Sequence, residues 1–364
     1  MVGYRARVSV SARTLPSDVP RCACSPVLHF GGPDLPARVL RDLLQQRIDA
    51  VPAGGSIDWM TYYFRDEALA DALVRAHRRG VAVRLCLEKC PRHRLANDPV
   101  IRLLGDSHLG LGPGLVAVGH LLPLHLHTKL YAFSHPVPTA FVGSFNPSGN
   151  DPEDPRVVAD IGDQDRGHNL LVELTDPPLV AALVQRVAKL HSDNGAFRWR
   201  TEVAAAPIRS TNMEAWYFPL LHPNPLLNRF HTLGPGATLR IAASHVRDPF
   251  VLRKLAQLVR RKVEVTLLTG NTMRRTPRRA DRYLVRHGIK ALRFADPTGL
   301  PMHGKFMLAD NSGERWASFG SYNLTLTSRW LNHELLMFSA DPQLWSQLDS
   351  RWSEMLKGQA SEAP

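Results

Sequence analysis

The chain has 364 residues, 44% apolar and 21% charged, with a formal net charge of +12 at pH 7 when His is counted neutral. This is the composition of a soluble globular protein long enough for two lobes of ordinary domain size, and no run reaches the ~18 apolar residues a membrane span requires. The excess of Arg favours an anionic partner (a phosphate ester, nucleic acid or an anionic lipid surface), although a GC-rich genome, which writes Arg and Ala freely, would also produce it.

In chain order, the first ~35 residues read as an N-terminal arm or strap (1–35). Met1 to Arg21 is interrupted by Arg, Ser and Pro and lacks the apolar core of a secretory signal, so a cytoplasmic protein is expected, peripheral to the membrane if its substrate is a lipid. Ser56 to Phe64 reads as a strand, Ala68, Leu69, Ala72, Leu73 and Ala76 as the apolar face of a helix, Gly80 as its stop, and Val81 to Leu87 as a second strand. The apolar stretch Gly110 to Leu124 could admit acyl chains or run buried under the sheet, and Leu126 to Phe133 reads as another strand. Asp176-Pro177 then opens an amphipathic stretch, closing a first lobe over 36–197. A polar, Pro-rich linker over 198–236 contains Trp216-Tyr217-Phe218, which should be packed.

The second half, 237–364, repeats the order. Thr238 to Ser244 is a strand, Phe250 to Val259 a helix, Val263 to Leu268 a strand and Met302 to Ala309 another, with Asp341-Pro342 before the closing helix. Strand–helix–strand order with parallel pairing implies two similar α/β lobes. The cysteines form the tight pairs Cys22/Cys24 and Cys86/Cys90, neither with the two-residue gap of a zinc knuckle, so they read as free or structural thiols and no metal site is expected.

Inside this repeat lies a shorter one. His127-Thr128-Lys129 is followed by Gly143-Ser144-Phe145-Asn146, and His303-Gly304-Lys305 by Gly320-Ser321-Tyr322-Asn323, with His-to-Gly distances of 16 and 17 residues. On a strand, positions i and i+2 share a face, so each His projects with its Lys while Thr128 and Gly304 turn away. Two facing sets would form a cage of Lys129, Lys305, Asn146, Asn323, Ser144 and Ser321, all able to donate to a phosphate. With imidazoles titrating near ~6.5, one His can attack phosphorus while the other protonates the leaving oxygen. The lysines would stabilise the equatorial oxygens without a metal or other cofactor.

At these residues the chain resembles the phospholipase D superfamily, with its paired His-x-Lys-x4-Asp motifs, and is nearest in flavour to bacterial cardiolipin synthases and related proteins. The resemblance spans about Ser56 to Lys357. It implies two α/β lobes with mixed central sheets flanked by helices, packed about a pseudo-twofold axis around one active site. It also implies a phosphohistidine intermediate resolved by water or an alcohol. The second motif is complete, with Asp310 and the run Asn332-His333-Glu334, whereas the first has Ser134 in place of the Asp and Asn169 opposite Glu334. In the family the carboxylate at the Glu334 position orients an imidazole, in some members across the lobes. Such an arrangement makes His127 the nucleophile and His303 the acid, with His303 relying on Asn169, Glu173, Asp163 or Asp165. His125, His168 and His333 are expected to support or pack.

Arg275, Arg279, Arg282 and Arg286 recur at helical spacing and form either a solvated face or a binding stripe for a lipid headgroup or a nucleic-acid backbone. Two linked lobes and the apolar stretch favour a phospholipid substrate at a membrane surface. A nuclease is the competing class, but only Tyr283 supplies an aromatic in the basic stretch for stacking on bases. A weakened phosphate-ester binding protein is the third reading, prompted by Ser134 and Asn169.

Overall fold

A computed structural model describes residues 25–119, 124–149, 155–156, 165–195, 206–220, 224–270, 275–297 and 299–362. Cys22, Cys24 and Asp163 lie outside them. Two mixed sheets form the frame, each built by the same wiring. In the first, β2 (Ser56–Thr61), β3 (Ala82–Glu88) and β4 (Leu115–Val118) run parallel. On the other side of β2, β5 (Leu130–Phe133), β6 (Thr139–Gly143), β7 (Asn169–Leu174) and β1 (Val27–Gly31) follow, each antiparallel to its neighbour.

The second sheet repeats this with β10 (Thr238–Ala243), β11 (Glu264–Gly270) and β12 (Lys290–Phe294) parallel. Antiparallel β13 (Phe306–Asn311), β14 (Glu314–Gly320), β15 (Glu334–Ser339) and β9 (Met213–Phe218) follow. Short strands β8 (Ile208–Arg209) and β16 (Ala360–Glu362) extend its two edges.

Helices cover both sheets. On the outer face of the first lie α1 (Val39–Ala50), α2 (Glu67–Arg78) and α3 (Asp98–Gly105), and on the second α5 (Pro225–Thr232), α6 (Pro249–Arg260) and α7 (Arg278–Arg286). A short helix, α8 (Leu326–Trp330), precedes β15. The closing helices α4 (Pro177–Ser192) and α9 (Pro342–Gln359) lie between the sheets. There Leu183, Val187, Leu348 and Trp352 join Val142, Leu170, Phe319 and Met337 in one core shared by the lobes. Asp-Pro pairs start α4, α6 and α9, with Asp176, Asp248 and Asp341 accepting from backbone N–H groups of the first turn at 2.8 to 2.9 Å and Pro at the first helical position.

Two expected boundaries move. Residues 27–31, assigned to the arm, form β1 against β7, and residues 213–218, assigned to the linker, form β9 against β15. They are counterparts: Gly31 lies opposite Asn169 and Phe218 opposite Glu334. Each repeat therefore begins one strand and one helix earlier than its apolar pattern announces. Within the apolar stretch, residues 115–118 are edge strand β4, with Val116 and Val118 buried in the shared core, so this part is structural; residues 120–123 lie outside the described residues.

Candidate active site

The wiring brings one end of every central strand to the same edge. Because β5 runs antiparallel to β2, the residues entering β5 lie beside those leaving β2, Met60 opposite Leu130. The end of β6 and the start of β7 lie alongside, with Gly143 opposite Leu171. Tyr62, Glu88, Lys129, Ser144 and Asn169 thus converge from separate strands. His245, Arg275, Lys305, Ser321 and Glu334 converge at the corresponding edge of the second sheet. Loops at the carboxyl ends of parallel strands are where α/β sheets hold ligands.

His127 to Lys129 and His303 to Lys305, expected on strands, lie instead in the extended segments leading into β5 and β13. They are held by the opposite lobe. Leu126 bridges to His333 and Met302 to His168. His127 N donates to His333 O at 2.9 Å and His303 N to His168 O at 3.0 Å. Thr128 Oγ1, facing away from the His as expected, donates to His333 O at 3.1 Å. Each lysine ammonium folds back onto the carbonyl of its own histidine, Lys129 at 2.6 Å and Lys305 at 2.8 Å.

Both imidazoles are oriented across the lobe boundary. His127 Nδ1 meets Glu334 Oε2 at 2.8 Å, and His303 Nδ1 meets Asn169 Oδ1 at 2.8 Å. Of the candidates for His303, Asn169 holds it. Glu173 instead pairs with His29 and Arg47, and Asp165 accepts from Arg38 N. Acceptance by Glu334 and Asn169 puts the ring proton on Nδ1 and leaves each Nε2 as the lone-pair nitrogen. Both acceptors are secured by the Gly-Ser turn. Ser321 Oγ donates to Glu334 at 2.6 Å and accepts from Leu335 N, while Ser144 Oγ donates to Asn169 at 3.0 Å and accepts from Leu170 N. Glycine precedes each serine because a Cβ at Gly143 or Gly320 would strike the carbonyl oxygen of Leu170 or Leu335. The serines therefore support the imidazole partners rather than facing a ligand.

Glu334, fully buried, also accepts from Ser328 Oγ at 2.6 Å and Asn332 Nδ2 at 3.4 Å. Burial alone would raise its pKa, but the neighbouring His127 and Lys129, with these donors, hold it below the usual carboxylate value. Burial lowers His127 to about 4 against the opposing pull of Glu334, with Lys129 and Lys305 adding to the depression. His303 is pushed well below its ordinary value by burial and then by Lys305 and Arg275. Both shifts favour the neutral imidazole. Lys129 is lowered to about 7 by burial, and Lys305 falls well below its ordinary value for the same reason and because Lys129 is near. A phosphodiester anion between them would raise all four.

Asn146 and Asn323 are buried beside these groups. Asn146 Oδ1 accepts from Tyr63 N at 3.3 Å, whereas Asn323 Oδ1 has no hydrogen-bond partner among the described residues. Asp310 is not in the cage. It sits five residues past Lys305, roughly 16 Å along an extended strand, accepting from Gly313 N and Arg315 Nε to close the β13–β14 hairpin. Ser134, at the matching position, accepts from Ser56 N at 2.7 Å and ties β5 to β2. The expected loss at Ser134 is therefore a loss of turn chemistry, remote from the imidazoles.

The arginines divide. Arg275 precedes α7 rather than joining its stripe, and its guanidinium reaches Met302 O at 2.7 Å, one residue before His303. Arg279 and Arg282, with Arg286, lie on the exposed face of α7, apart from the cage. His168 receives Arg351, which also grips Asp34, and His125 lies 3.7 Å from Glu88. His333 is buried and supplies backbone bonds to His127 and Thr128. Cys86 is buried and Cys90 exposed, both free thiols.

Three residues of this edge carried no sequence signal. Tyr62 lays its ring 4.9 Å from that of His127 and 5.3 Å from the Lys129 ammonium. Glu88 accepts from Leu126 N at 2.6 Å, fixing the approach to His127. His245 follows β10 within electrostatic reach of His127, Lys305 and Arg275. Their only signal was position, each at or just beyond the carboxyl end of a parallel strand.

No curated protein matches the chain. Among solved structures, phosphatidylserine synthase from Haemophilus influenzae Rd KW20 superposes with a TM-score of 0.67 at 14% identity, over 92% of this chain and 87% of that one. Polyphosphate kinase from Porphyromonas gingivalis gives 0.61 at 13% identity, over 93% of this chain but only 48% of the kinase. These likenesses establish the two-lobed fold. The family described as "Cardiolipin synthase, PLD-like domain" matches residues 46–153 and 235–356, taking in both His/Lys motifs. The chain belongs to the phospholipase D-like family of cardiolipin synthase type.

Proposed function

We propose that this protein is a metal-independent phosphodiesterase or phosphatidyltransferase acting on phospholipids through a phosphohistidine intermediate. The observation that carries this reading is the pair of cross-lobe bonds, His127 to Glu334 and His303 to Asn169, which leave both Nε2 atoms available beside Lys129 and Lys305. His127 Nε2 attacks phosphorus, and the bond from phosphorus to the leaving oxygen breaks as His303 Nε2–H gives that oxygen its proton. Glu334 stabilises the positive charge that forms on the His127 ring. The neutral His303 then takes a proton from water or an alcohol, whose oxygen displaces His127 from phosphorus. The lysines and Asn146 and Asn323 donate to the non-bridging oxygens.

Burial, and then the cations around it, depress His303, and an anionic substrate offsets that depression and favours its protonation, which couples binding to the acid step. The family's cardiolipin-synthase description favours phospholipid over nucleic acid, and the exposed Arg279, Arg282 and Arg286 suit an anionic membrane surface. Purified protein in EDTA should convert phosphatidylglycerol or phosphatidylcholine vesicles, with transfer product appearing when glycerol is added. Cleavage of single- or double-stranded DNA with inert vesicles would replace the lipid reading by a nuclease. Absence of both activities and of any phosphohistidine would leave a binding protein.

A further inference from the structure

The two halves of the site are anchored by opposite charges. The strand registers make Glu88 and Gly270 counterparts, since Ser56 pairs with Ala82 as Thr238 pairs with Glu264. In the first lobe the Glu88 carboxylate fills this place and binds the backbone of Leu126. In the second, Gly270 leaves the space to Arg275, whose side chain passes over it to bind the backbone of Met302. Leu126 and Met302 are themselves counterparts, each one residue before its histidine. The next strand differs in the same sense: Tyr62 and Tyr63 follow β2, whereas Ser244 and His245 follow β10.

Arg275 spends one guanidinium nitrogen on Met302 O and Ser244 Oγ, at 2.7 and 3.4 Å, and its other donors bond to nothing among the described residues. No carboxylate neutralises it among the described residues, and His245 beside it has a buried Nδ1 without a hydrogen-bond partner. Among the described residues, Lys129, Lys305 and Arg275 thus face Glu334 as the one carboxylate bonded to an imidazole of the cage. A phosphodiester brings a single negative charge and leaves the Arg275 side still cationic.

We propose that Arg275 and His245 form a second anion subsite on the His303 side of the cage, for a phosphate or carboxylate carried by the alcohol that departs or arrives there. The inference rests on the reading above, in which His303 protonates the leaving oxygen and so defines that side. On the His127 side, Tyr62 and Glu88 offer an aromatic and acidic wall with no counterpart to this subsite.

Calorimetric titration with inorganic phosphate and pyrophosphate tests the subsite without requiring turnover. The native protein should bind pyrophosphate at least tenfold more tightly than phosphate, the second phosphoryl group reaching Arg275. Arg275→Leu should bring the ratio close to one and His245→Asn should lower it, whatever either does to turnover. If Arg275→Leu does not fold, Arg275→Gln, which keeps a donor for Met302 O, reads the same ratio. A native ratio near one, or a ratio unchanged in the folded Arg275 variants, overturns the subsite. Failure of the proposed chemistry would show separately, as native protein that traps no phosphohistidine from a labelled diester. Preferred transfer to glycerol 3-phosphate over glycerol would mark the incoming alcohol as the carrier. Faster release of a phosphorylated leaving alcohol would mark the outgoing one.

Discussion

Asn169 stands to Ser144 as Glu334 stands to Ser321. Each begins the strand after a Gly-Ser turn, takes a serine hydroxyl, and holds the imidazole of the opposite lobe at 2.8 Å. The two positions differ in charge, a carboxylate behind His127 and a carboxamide behind His303, and Glu334 takes two further donors, Ser328 and Asn332. An imidazole against a carboxylate is the stronger base and carries a positive charge more readily, while one against a neutral carbonyl gives up its proton more easily. Glu334→Gln should therefore lower kcat by roughly 10³-fold through loss of the ring's counter-charge, with little change in KM. Asn169→Asp should instead raise the His303 pKa and move the alkaline limb of the kcat profile up by about one pH unit. An alkaline limb that stays in place would remove His303 from the acid role.

In the proposed chemistry the same asymmetry gives the covalent step to His127. His127→Asn should abolish a phosphoenzyme trapped by acid quench from a labelled diester. His303→Asn should still form one when the leaving group is a nitrophenolate, which departs without a proton. Label recovered on His303 in the native protein would reverse the roles.

The motif residues were legible because their chemistry is written in residue type at fixed spacing, twice. The lobe order was legible because periodicity is local. What could not be read was set by distant partners. The His/Lys segments resemble strand beginnings, yet their hydrogen bonds go to His333 and His168 across the lobe boundary rather than into a ladder of their own. β1, an edge strand, and β9, covered only by the two-residue β8, have principal partners more than a hundred residues away in sequence, so their local sequence reads as arm and linker. Asp310 was placed at the site because the family pattern includes it; its bonds to Gly313 and Arg315 make it a hairpin residue. Arg275 followed the helical spacing of the stripe, but α7 begins only at Arg278.

The glycine of the second turn is a sensitive point of the frame. Gly320 has φ of 137°, and a Cβ there would meet Leu335 O, on the strand that presents Glu334. Gly320→Ala should cost more than about 2 kcal/mol in urea unfolding, from backbone strain and displacement of β15 together. Because the displacement moves Glu334, activity in the surviving folded fraction should fall as well. Stability equal to that of the native protein would mean that the two strands separate freely.

Acid sensitivity follows from the buried imidazoles. Burial, as the largest cause, lowers both His127 and His168 to about 4, whereas an unfolded histidine takes up its proton near ~6.5. Between those values the unfolded chain binds more protons than the folded one, so unfolding becomes easier as pH falls. The stabilisation is whole above about pH 6.5 and is lost progressively towards pH 4, by up to about 3 kcal/mol for each imidazole. His303 and His245, also depressed chiefly by burial, add to the trend in the same direction. Urea unfolding measured from pH 7.5 to 5 should show stability falling with acidity. His168→Asn, remote from the reacting nitrogens, should reduce the slope by close to one proton. A flat profile across this interval would mean that the imidazoles accept protons in the folded state, and would remove the neutral His127 on which the proposed nucleophilic step depends.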